Sequence, residues 1–375
     1  MRHGVKIHIF ACRQFTPTLR VHTFKISLLF DFFFTLGKIL FKQPKLLREF
    51  FLLLKKHSSR GIRWFFSENF FANAWGVIVG ITFVQTLKRL NVQICHGAWA
   101  TLPATAAAVS ARILGIPFSM GAHAYDIYRD GGDAFLKEKL SAAAFTHTTT
   151  QANVKYLSTL APEAKIILAR RGLETFFEIS SRVISNQPAR LLAVGRLIPK
   201  KGYALLLDAC KILKEKKFFF HLKIIGEGAE RGTLEKKIQS LNLSNEVELA
   251  GALSHEQVVA AYQKTDFFLH AGIIDPSGDR DGLPNVIAEA MAHGVPVVSS
   301  LGEGAQEAVI HENTGLLADI RNSQQFADAI VRLHQDSALQ KRVTQNAYSW
   351  VKENFSVEKN TLLLAQAFQS AVTAS

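Results

Sequence analysis

The fold is decided by residues 190–202, which read RLLAVGRLIPKKG. The stretch begins with a short apolar run that predicts a buried strand over 190–194, and a helical pattern follows over 203–215. The loop between them holds Gly195 and three cations, Arg196, Lys200 and Lys201. Free N–H groups and the helix dipole favour an anion at such a helix start. The stretch therefore predicts one βα unit of a parallel sheet with an anion-binding loop.

The same alternation of strand and helix continues along the chain after this unit. The apolar runs predict strands over 190–194, 218–225, 247–250, 266–270 and 296–299, joined by helices over 203–215, 229–241, 255–263, 284–293 and 304–310. Strands that alternate with helices at this spacing indicate a parallel sheet covered on both faces, as in a Rossmann-like domain. Three more helices are predicted near 323–335, 338–353 and 356–371.

The N-terminal half predicts a second α/β domain. Strands are expected over 92–95, 117–121 and 145–150, with an alanine-rich helix over 103–114. Upstream, the spacing of apolar residues predicts helices over 24–41, 46–54 and roughly 74–90. A polar, proline-containing linker is expected at 181–189. We therefore divide the chain into an N-terminal domain 1–180, a second domain 188–355 and a last helix, 356–375, that crosses back to the first domain.

Charge is distributed unevenly along the chain. Residues 1–90 contain fifteen Lys or Arg and three Asp or Glu, so this segment carries nearly all of the +13 net charge, together with more than half of the 28 phenylalanines. A basic, apolar segment is attracted to anionic surfaces, either lipid head groups or nucleic acid. A helical subdomain that buries its Phe and solvates its Lys explains the same composition, so three explanations remain open.

Cysteine usage and segment polarity point to the cytosol. The three cysteines, Cys12, Cys95 and Cys210, lie far apart without a CxxC pair, which argues against disulfides and structural zinc. Residues 1–23 carry basic side chains throughout and lack the apolar core of a secretory signal. A spanning helix is not expected, because charged residues interrupt the longest apolar candidate within 24–41.

Paired carboxylates mark the segment 279–291. Asp281 precedes a predicted helix that starts near Pro284, and Glu289 lies within that helix. Two carboxylates so placed suit hydrogen bonds from sugar hydroxyls, although Asp281 as a helix cap and Glu289 as a solvent-facing residue explain the spacing equally well. The sequence Asp279-Arg280-Asp281 has the form of a DxD metal motif. Because that motif occurs in a fold different from the one predicted here, we expect no metal.

Two further glycine-containing loops follow predicted strands, at 226–228 and 302–304. The first is not a dinucleotide fingerprint, because Arg231 stands where a third glycine is needed, and the chain has no Walker A sequence. Ligands of open parallel sheets bind outside the carboxyl ends of the strands. Three such loops on one sheet, one of them cationic, therefore indicate a phosphorylated ligand.

From about 92 to 355 the chain resembles the retaining, nucleotide-sugar-dependent glycosyltransferases of family 4, especially members that assemble bacterial exopolysaccharide or lipid-linked glycans. The matching segments are 194–202, 226–228, 281–291, 293–298, Glu307 with 314–316, and, in the N-terminal half, 115–126 and 171–174. The resemblance implies the α/β GT-B fold, in which two Rossmann-like domains face a cleft. Neither a clear first strand nor a glycine-rich turn is evident within 1–71, although 5–10 suits a strand, so we expect an abbreviated N-terminal domain.

The resemblance also assigns roles to residues. Arg196 and Lys201 are expected to bind the donor diphosphate and stabilise its charge as it leaves, and Glu289 to hold the ribose. Asp281 would hold the donor sugar, although the family has a longer Glu there, and His123 would lie at the cleft near donor and acceptor. A core histidine bonded to backbone is the alternative for His123. The catalytic set is therefore His123, Asp281, Arg196 and Lys201, and the donor-binding set is Gly195, Arg196, Lys201, Gly226, Gly228, Asp281, Gly282, Leu283, Pro284 and Glu289.

These observations predict a retaining transferase that moves a hexose-like sugar from a nucleotide diphosphate to a glycan or lipid-linked acceptor in cell-surface polysaccharide synthesis. It would need no cofactor, bind no nucleic acid, and work in the cytoplasm at the inner face of the membrane, held peripherally by 24–66. The alternative is a weak or inactive homologue that binds nucleotide sugar as a partner subunit. Nucleic-acid binding through the basic segment is a further alternative, although no recognised module is present.

Overall fold

The computed structural model of this chain describes residues 8–11, 21–23, 32–38, 48, 68–173, 176 and 188–374. Two parallel sheets organise these residues, one in the N-terminal half and one in the C-terminal half. Each sheet carries helices between its strands, as the alternating pattern predicts.

The N-terminal sheet has four parallel strands in the order β3-β4-β5-β6. A separate parallel pair, β1 and β2, precedes it and partly matches the strand expected at 5–10. The elements of this half are β1 (Ile9–Ala11), β2 (Val21–Thr23), α1 (Glu68–Arg89), β3 (Cys95–Gly97), α2 (Leu102–Leu114), β4 (Phe118–Gly121), α3 (Tyr125–Tyr128), a 3₁₀ turn (Arg129–Gly131), α4 (Leu136–Ala142), β5 (Phe145–Thr148), α5 (Gln151–Leu160) and β6 (Ile166–Leu168).

The strand expected at 92–95 begins later, at Cys95. The chain leaves α1 through a tight turn in which Asn91 has a positive φ of 50°. The Asn91 and Val92 N–H groups bond back to the last helical turn, at Lys88 O and Leu87 O, over 3.1 and 3.2 Å. Because these residues complete the helix end, they are not available to a strand, and the prediction was wrong by about three residues.

Helix α1 packs along α2 at close range. The Ser110 Oγ of α2 donates to Gly80 O at 2.7 Å, and a Cβ on Gly80 would lie 2.7 Å from Ala106 O. Only a glycine admits this approach. The segment Phe70–Arg89 is long and apolar enough to cross a membrane, but half of its most apolar window is buried inside the fold.

Much of the predicted helical region 24–66 lies outside the described residues. Within it, residues 32–38 are helical, as is Arg48. Thr35 is buried and accepts a hydrogen bond from Gln85 Nε2 of α1 at 3.1 Å, whereas Phe33 and Phe34 are exposed. This short helix is therefore docked on the N-terminal half by one polar contact, with two phenylalanines facing outward. The linker expected at 181–189 also lies mostly outside the described residues.

The C-terminal sheet has six parallel strands in the order β12-β11-β10-β7-β8-β9. Apolar clusters fill both of its faces. Its elements are β7 (Ala189–Val194), a 3₁₀ turn (Pro199–Lys201), α6 (Tyr203–Glu215), β8 (Phe220–Ile225), α7 (Arg231–Ser240), β9 (Val247–Gly251), α8 (His255–Gln263), β10 (Phe267–His270), α9 (Asn285–Ala292), β11 (Val297–Ser299), α10 (Glu303–Gln306), β12 (Leu316–Leu317), α11 (Ser323–Gln335), α12 (Ser337–Asn354) and α13 (Val357–Thr373).

Several expected boundaries in this half differ from the structure by one or two residues, and the end of one helix differs by four. Strand β8 begins at Phe220 instead of 218, because Lys217 has a positive φ of 58° and the Phe218 N–H bonds back to Leu213 O at the end of α6. The helix expected over 304–310 ends at Gln306. Beyond it the Thr314 hydroxyl bonds both the Ile310 N–H and the Ala308 carbonyl, which bends the chain into a turn.

The last helix, α13, contacts the N-terminal sheet. Phe368 packs edge-on against Phe145 of β5 and His96 of β3, with ring centroids 5.1 and 5.3 Å apart. The Arg170 N–H donates to Asn360 Oδ1 of α13 at 2.9 Å. Helix α13 therefore lies against the N-terminal domain, although it follows the C-terminal domain in the chain.

Candidate active site

The C-terminal sheet changes direction between β7 and β10. The chain runs outward from β7 to β8 and β9, then returns to place β10 on the other side of β7. Ligands bind at such a switch point, outside the carboxyl ends of the two central strands. Here the loop after β7 and the loop after β10 meet at that point.

Three lysine–aspartate ion pairs join these loops. Lys201 Nζ lies 2.5 Å from Asp281 Oδ2, and Lys200 Nζ lies 3.0 Å from Asp279 Oδ1 and 3.5 Å from Asp281 Oδ1. Lys200 is nearly inaccessible, whereas Lys201 and Asp281 are 14% and 17% exposed at the side chain. Asp281 therefore accepts a hydrogen bond from Lys201 and forms an ion pair with Lys200, which both precede it by about 80 residues, and it does not cap α9.

A buried histidine completes this cluster. His270, the last residue of β10, places its Nδ1 2.9 Å from Ser299 Oγ and its Nε2 3.8 Å from Asp281 Oδ2. Burial lowers the pKa of His270, and Asp281 opposes that shift in part. Burial alone would raise the pKa of Asp281, but His270 and the charge of Lys201 outweigh it and hold that pKa below its usual range. Asp281 is therefore a carboxylate at neutral pH.

The other expected diphosphate ligand, Arg196, is exposed on the loop after β7. The glycines beside it serve close packing: a Cβ on Gly226 would clash with the carbonyl oxygen of Gly195. A Cβ on Gly228 would similarly meet Leu197 O. These glycines let the two loops lie against each other, which keeps the cationic loop in place at the mouth of the cleft.

The helix that carries Glu289 begins directly after the site loop. Leu283 and Pro284 are buried, Pro284 is the cap residue of α9, and Glu289 is half-buried one turn further on. Glu289 Oε2 accepts a hydrogen bond from the buried Tyr262 hydroxyl at 3.2 Å. The burial of that phenol, together with the nearby Glu289 charge, raises the pKa of Tyr262. Glu289 is therefore a positioned acceptor and not a freely solvated side chain.

On the N-terminal side, His123 follows β4. Its backbone is held at both ends: its N–H donates to Asp126 Oδ1 at 3.1 Å, and its carbonyl accepts from Asn153 Nδ2 at 2.5 Å. Its ring lies 5.0 Å from the His147 ring, and its Nδ1 is buried without a hydrogen-bond partner among the described residues. Burial lowers the pKa of His123, so its imidazole is neutral near pH 7.

The two halves meet at the loop that holds Asp281. A Cβ on Gly282 would lie 3.3 Å from His123 O. The Arg280 guanidinium stacks 4.0 Å over the ring of Tyr128, and the Asp130 N–H donates to Ser277 O at 2.9 Å. The structure therefore places His123 next to the loop that carries Asp281, while the roles that the resemblance implies for these residues stay predictions.

A second link between the halves lies at Glu307. Its carboxylate pairs with Arg170 and accepts a hydrogen bond from the Gln151 N–H, at the start of α5, over 2.7 Å. Arg170 also approaches the ring of Trp350, at 5.7 Å from its centroid. Glu307, one of the residues that carries the family resemblance, thus joins the domains in this structure.

Sequence analysis missed three residues of this site. Lys200 was noted only as a loop cation, and neither His270 nor Tyr262 was singled out. Lys200 had a signal, because it lies in the same cationic loop as Lys201. His270 and Tyr262 had none, since each reaches its carboxylate through sheet packing and not through a motif.

A cavity of about 400 Å³ lies elsewhere, over residues near the starts of β7, β8 and β9. Its lining includes Arg190, His221 and Glu246. This is the amino edge of the sheet, remote from the carboxyl ends where parallel sheets bind ligands. The switch point, not the larger cavity, is therefore the candidate site.

Comparison with known proteins relates the C-terminal half of the chain to one family. A family model described as "Glycosyl transferases group 1" matches residues 175–350, which include the site loops and Glu289. Over these residues, slightly less than half of the chain, the protein is similar to that family. The N-terminal wall of the cleft, with His123, lies outside the matched residues.

Curated proteins similar to this part of the chain include glycosyltransferases of amylovoran and lipopolysaccharide core biosynthesis. The chain is 36% identical over 178 residues to the amylovoran biosynthesis glycosyltransferase AmsK of Erwinia amylovora, covering 47% of this chain and 44% of that protein. It is 30% identical to the lipopolysaccharide core biosynthesis glycosyltransferase LpsE of Rhizobium meliloti, covering 49% and 54%. The chain thus spans about half the length of the curated relatives it matches.

Solved structures show the fold beyond residues 175–350. Sucrose-phosphate synthase from Thermosynechococcus elongatus superposes with a TM-score of 0.65 at 23% identity, over 78% of each chain. Anabaena Alr3699/HepE, solved in complex with UDP, gives 0.64 at 20% identity over 78% of this chain and 82% of that one. The fold is therefore the predicted GT-B fold, with two Rossmann-like domains facing a cleft. Membership of family 4 and an abbreviated N-terminal domain stay predictions.

Proposed function

We propose that this protein is a retaining glycosyltransferase that moves a hexose-like sugar from a nucleotide diphosphate to a glycan or lipid-linked acceptor in cell-surface polysaccharide synthesis. The observation that carries the proposal is the Lys201–Asp281 pair at the β7–β10 switch point, opposite His123. The similar glycosyltransferases of amylovoran and lipopolysaccharide core biosynthesis support the acceptor class.

The ion pair suggests how the donor enters. Asp281 neutralises Lys201 at 2.5 Å. A diphosphate carries more negative charge than one carboxylate and competes for Lys201 and the exposed Arg196. Asp281 is then released to accept hydrogen bonds from the donor sugar, while Glu289, fixed by Tyr262, accepts from the ribose hydroxyls.

The chemistry that fits these groups is a front-face displacement. The bond from the anomeric carbon to the diphosphate oxygen breaks, the bond to the acceptor oxygen forms on the same face, and the acceptor proton passes to the departing oxygen. Lys201 and Arg196 stabilise the charge on that oxygen as it develops. Asp281 and the neutral His123 orient the sugar and the acceptor.

This mechanism requires no metal or cofactor. The two carboxylates of Asp279-Arg280-Asp281 each pair with a lysine, so the positive charge at the diphosphate comes from side chains. We expect turnover to persist in EDTA. Loss of turnover with chelator, restored by manganese, would contradict this part of the proposal.

The deciding experiment is a panel of UDP- and GDP-sugars, followed first by thermal shift and then by hydrolysis. A saturating ligand stabilises the fold by RT ln(1 + [L]/Kd), or about 2.7 kcal/mol at a hundredfold excess over Kd. We expect one sugar nucleotide to raise the melting temperature and to be hydrolysed. Binding without turnover would instead favour the inactive homologue that acts as a partner subunit. If no nucleotide sugar binds, both the enzyme and the partner-subunit proposals are refuted.

We further propose that the protein works in the cytoplasm, attached peripherally to the inner face of the membrane through 24–66. The basic, Phe-rich composition motivates this location, and the exposed Phe33 and Phe34 of the helix 32–38 support it. Each cation near an anionic leaflet contributes about 1 kcal/mol. A lipid-linked acceptor would be met at the same surface.

Liposome flotation tests the membrane proposal. Binding should require anionic lipid, weaken in high salt, and fall when Lys45, Arg48, Lys55 and Lys56 are changed to Glu. A wild-type protein that ignores anionic liposomes at low salt would refute it. Binding to DNA or RNA that competes with liposomes would favour the nucleic-acid alternative.

A further inference from the structure

An exposed pair of aromatic rings stands beside His123. The ring centroids of Trp99 and Tyr125 lie 5.1 Å apart, and the two ring planes meet at 32°. The Trp99 and His123 rings pack edge to face, with their centroids 5.2 Å apart. Trp99 and Tyr125 are 37% and 39% exposed. Tyr and Trp are enriched at interfaces, and adjoining exposed apolar groups are characteristic of binding grooves.

The loop that carries Trp99 is fixed by two buried charged groups. The N–H of the next residue, Ala100, donates to Asp126 Oδ2 at 3.1 Å, and its carbonyl accepts from Lys139 Nζ at 2.6 Å. Asp126 and Lys139 are both buried. Burying charged groups costs free energy, and here two of them hold both polar groups of a single residue.

The same carboxylate fixes the other half of the pair. Asp126 also accepts from the N–H groups of His123 and Ala124, the latter at 2.8 Å, so it ties the loop of Trp99 to the segment that carries Tyr125. The two rings and His123 are therefore held as one rigid unit. Preorganisation of this kind lowers the entropic cost of binding a ligand.

The position of the pair indicates what it binds. The rings belong to the N-terminal wall of the cleft, while the cations, Asp281 and Glu289 belong to the C-terminal wall. A pyranose ring presents a face of C–H groups with partial positive charge, and an aromatic face is negative. Two rings tilted toward each other offer such a sugar a shallow surface at the reacting end of the cleft.

We propose that Trp99 and Tyr125 form the acceptor subsite, on which a pyranose residue of the acceptor stacks next to His123. The inference rests on the proposed function, because it assigns the acceptor side of the same cleft. It goes further by naming Trp99, which lies outside the matching segments and outside residues 175–350, by giving a role to Tyr125, which lies in the segment 115–126 without one, and by naming the acceptor group they contact.

Saturation-transfer NMR on the full-length protein tests the subsite without requiring turnover. The probes are the methyl α- and β-pyranosides of glucose, galactose and mannose, each measured alone and with UDP or GDP. We expect wild-type protein to transfer saturation to the ring protons of at least one glycoside. Trp99→Ala and Tyr125→Ala should each weaken that binding by about tenfold, the factor that corresponds to roughly 1.4 kcal/mol. Tyr125→Phe keeps the ring and should stay within about twofold of wild type.

Trp75→Ala is the matched control, because Trp75 is similarly exposed but lies on α1.

Nucleotide-sugar thermal shifts on the same variants separate the two proposals: the donor site should respond equally in wild type and Trp99→Ala. Absence of any nucleotide response would refute the donor function and leave the glycoside result standing by itself. Equal glycoside binding by wild type and Trp99→Ala, or none by wild type, overturns the subsite. Loss of liposome binding in Trp99→Ala with glycoside binding intact assigns the rings to a membrane surface and also overturns it.

Discussion

In the C-terminal domain the Lys201 and Asp281 side chains are 14% and 17% exposed and face the cleft, whereas in the N-terminal domain Lys139 and Asp133 are 6% and 0% exposed and face the interior. Both are lysine–aspartate pairs of similar length, at 2.5 and 2.7 Å. A partly exposed pair can exchange its partner for a ligand, while a sealed pair can only hold backbone in place. The accessibility of the pair, and not its residue types, therefore distinguishes an ion pair that can bind a ligand from one that only stabilises the fold.

The largest effect should come from breaking the sealed pair. Lys139→Ala leaves Asp133 buried without its counterion and removes the hydrogen bonds to Ala100 O and Asn73 Oδ1. We expect the free energy of unfolding to fall by about 3–5 kcal/mol, measured by denaturant titration. Lys137→Ala, on the exposed face of the same helix, should change it by less than about 0.5 kcal/mol. Equal losses for the two variants would mean that the buried pair does not hold this domain.

Breaking the accessible pair should instead affect turnover. Lys201→Ala is expected to lower kcat by about a hundredfold or more with little change in melting temperature, because the cation stabilises charge that develops on the leaving diphosphate. Lys211→Ala on α6, where Lys211 pairs with Glu215 on the surface, is the control. Near-normal turnover by a folded Lys201→Ala protein would remove Lys201 from the site.

A smaller effect is expected from changing Glu289, which lies one turn into α9. Glu289→Gln keeps an acceptor for the Tyr262 hydroxyl but loses the charge, so nucleotide binding should weaken by about 1–3 kcal/mol. Isothermal titration with the nucleotide identified in the panel measures this change. Tyr262→Phe removes only the positioning bond and should cost less. A dissociation constant unchanged in Glu289→Gln would return this residue to a purely structural role.

The N-terminal domain should also show a dependence of stability on pH. Burial, together with neighbouring histidines, lowers the pKa of His96 to about 4 and that of His147 to about 3. Because both pKa values lie below that of an unfolded histidine, the unfolded state binds protons first as the pH falls. Stability is therefore complete above about pH 6.5 and should decline below it by up to about 1.4 kcal/mol per pH unit for each histidine.

Melting temperatures between pH 7 and pH 4.5 test this dependence. His147→Phe should flatten the decline, because phenylalanine fits the stacked rings and binds no proton. His221→Gln, at an exposed position of the C-terminal sheet, should leave the slope as it is in the wild type. A wild-type slope in His147→Phe would show that His147 does not contribute to acid destabilisation.

The spacing of apolar residues was sufficient to predict most helices and strands of both domains. The helices at 203–215, 255–263 and 323–335 fall where the apolar spacing predicts them. The errors lie at boundaries such as Cys95 and Phe220, where backbone turns with positive φ at Asn91 and Lys217 extend the preceding helix ends. A turn of this kind depends on one residue's backbone angle, which the spacing of apolar residues does not record.

The sequence by itself determined the alternation of strands and helices, the cationic loop at 195–202 and the carboxylates at 281 and 289, because each is encoded within a few adjacent residues. Only the tertiary structure decided that Lys201 pairs with Asp281 across 80 residues, that Tyr262 holds Glu289, and that Trp99 stands against Tyr125. These contacts follow from β10 returning beside β7 and from one carboxylate, Asp126, joining two loops. Strand order is set by how the whole sheet packs its helices, so no single stretch of sequence contains it.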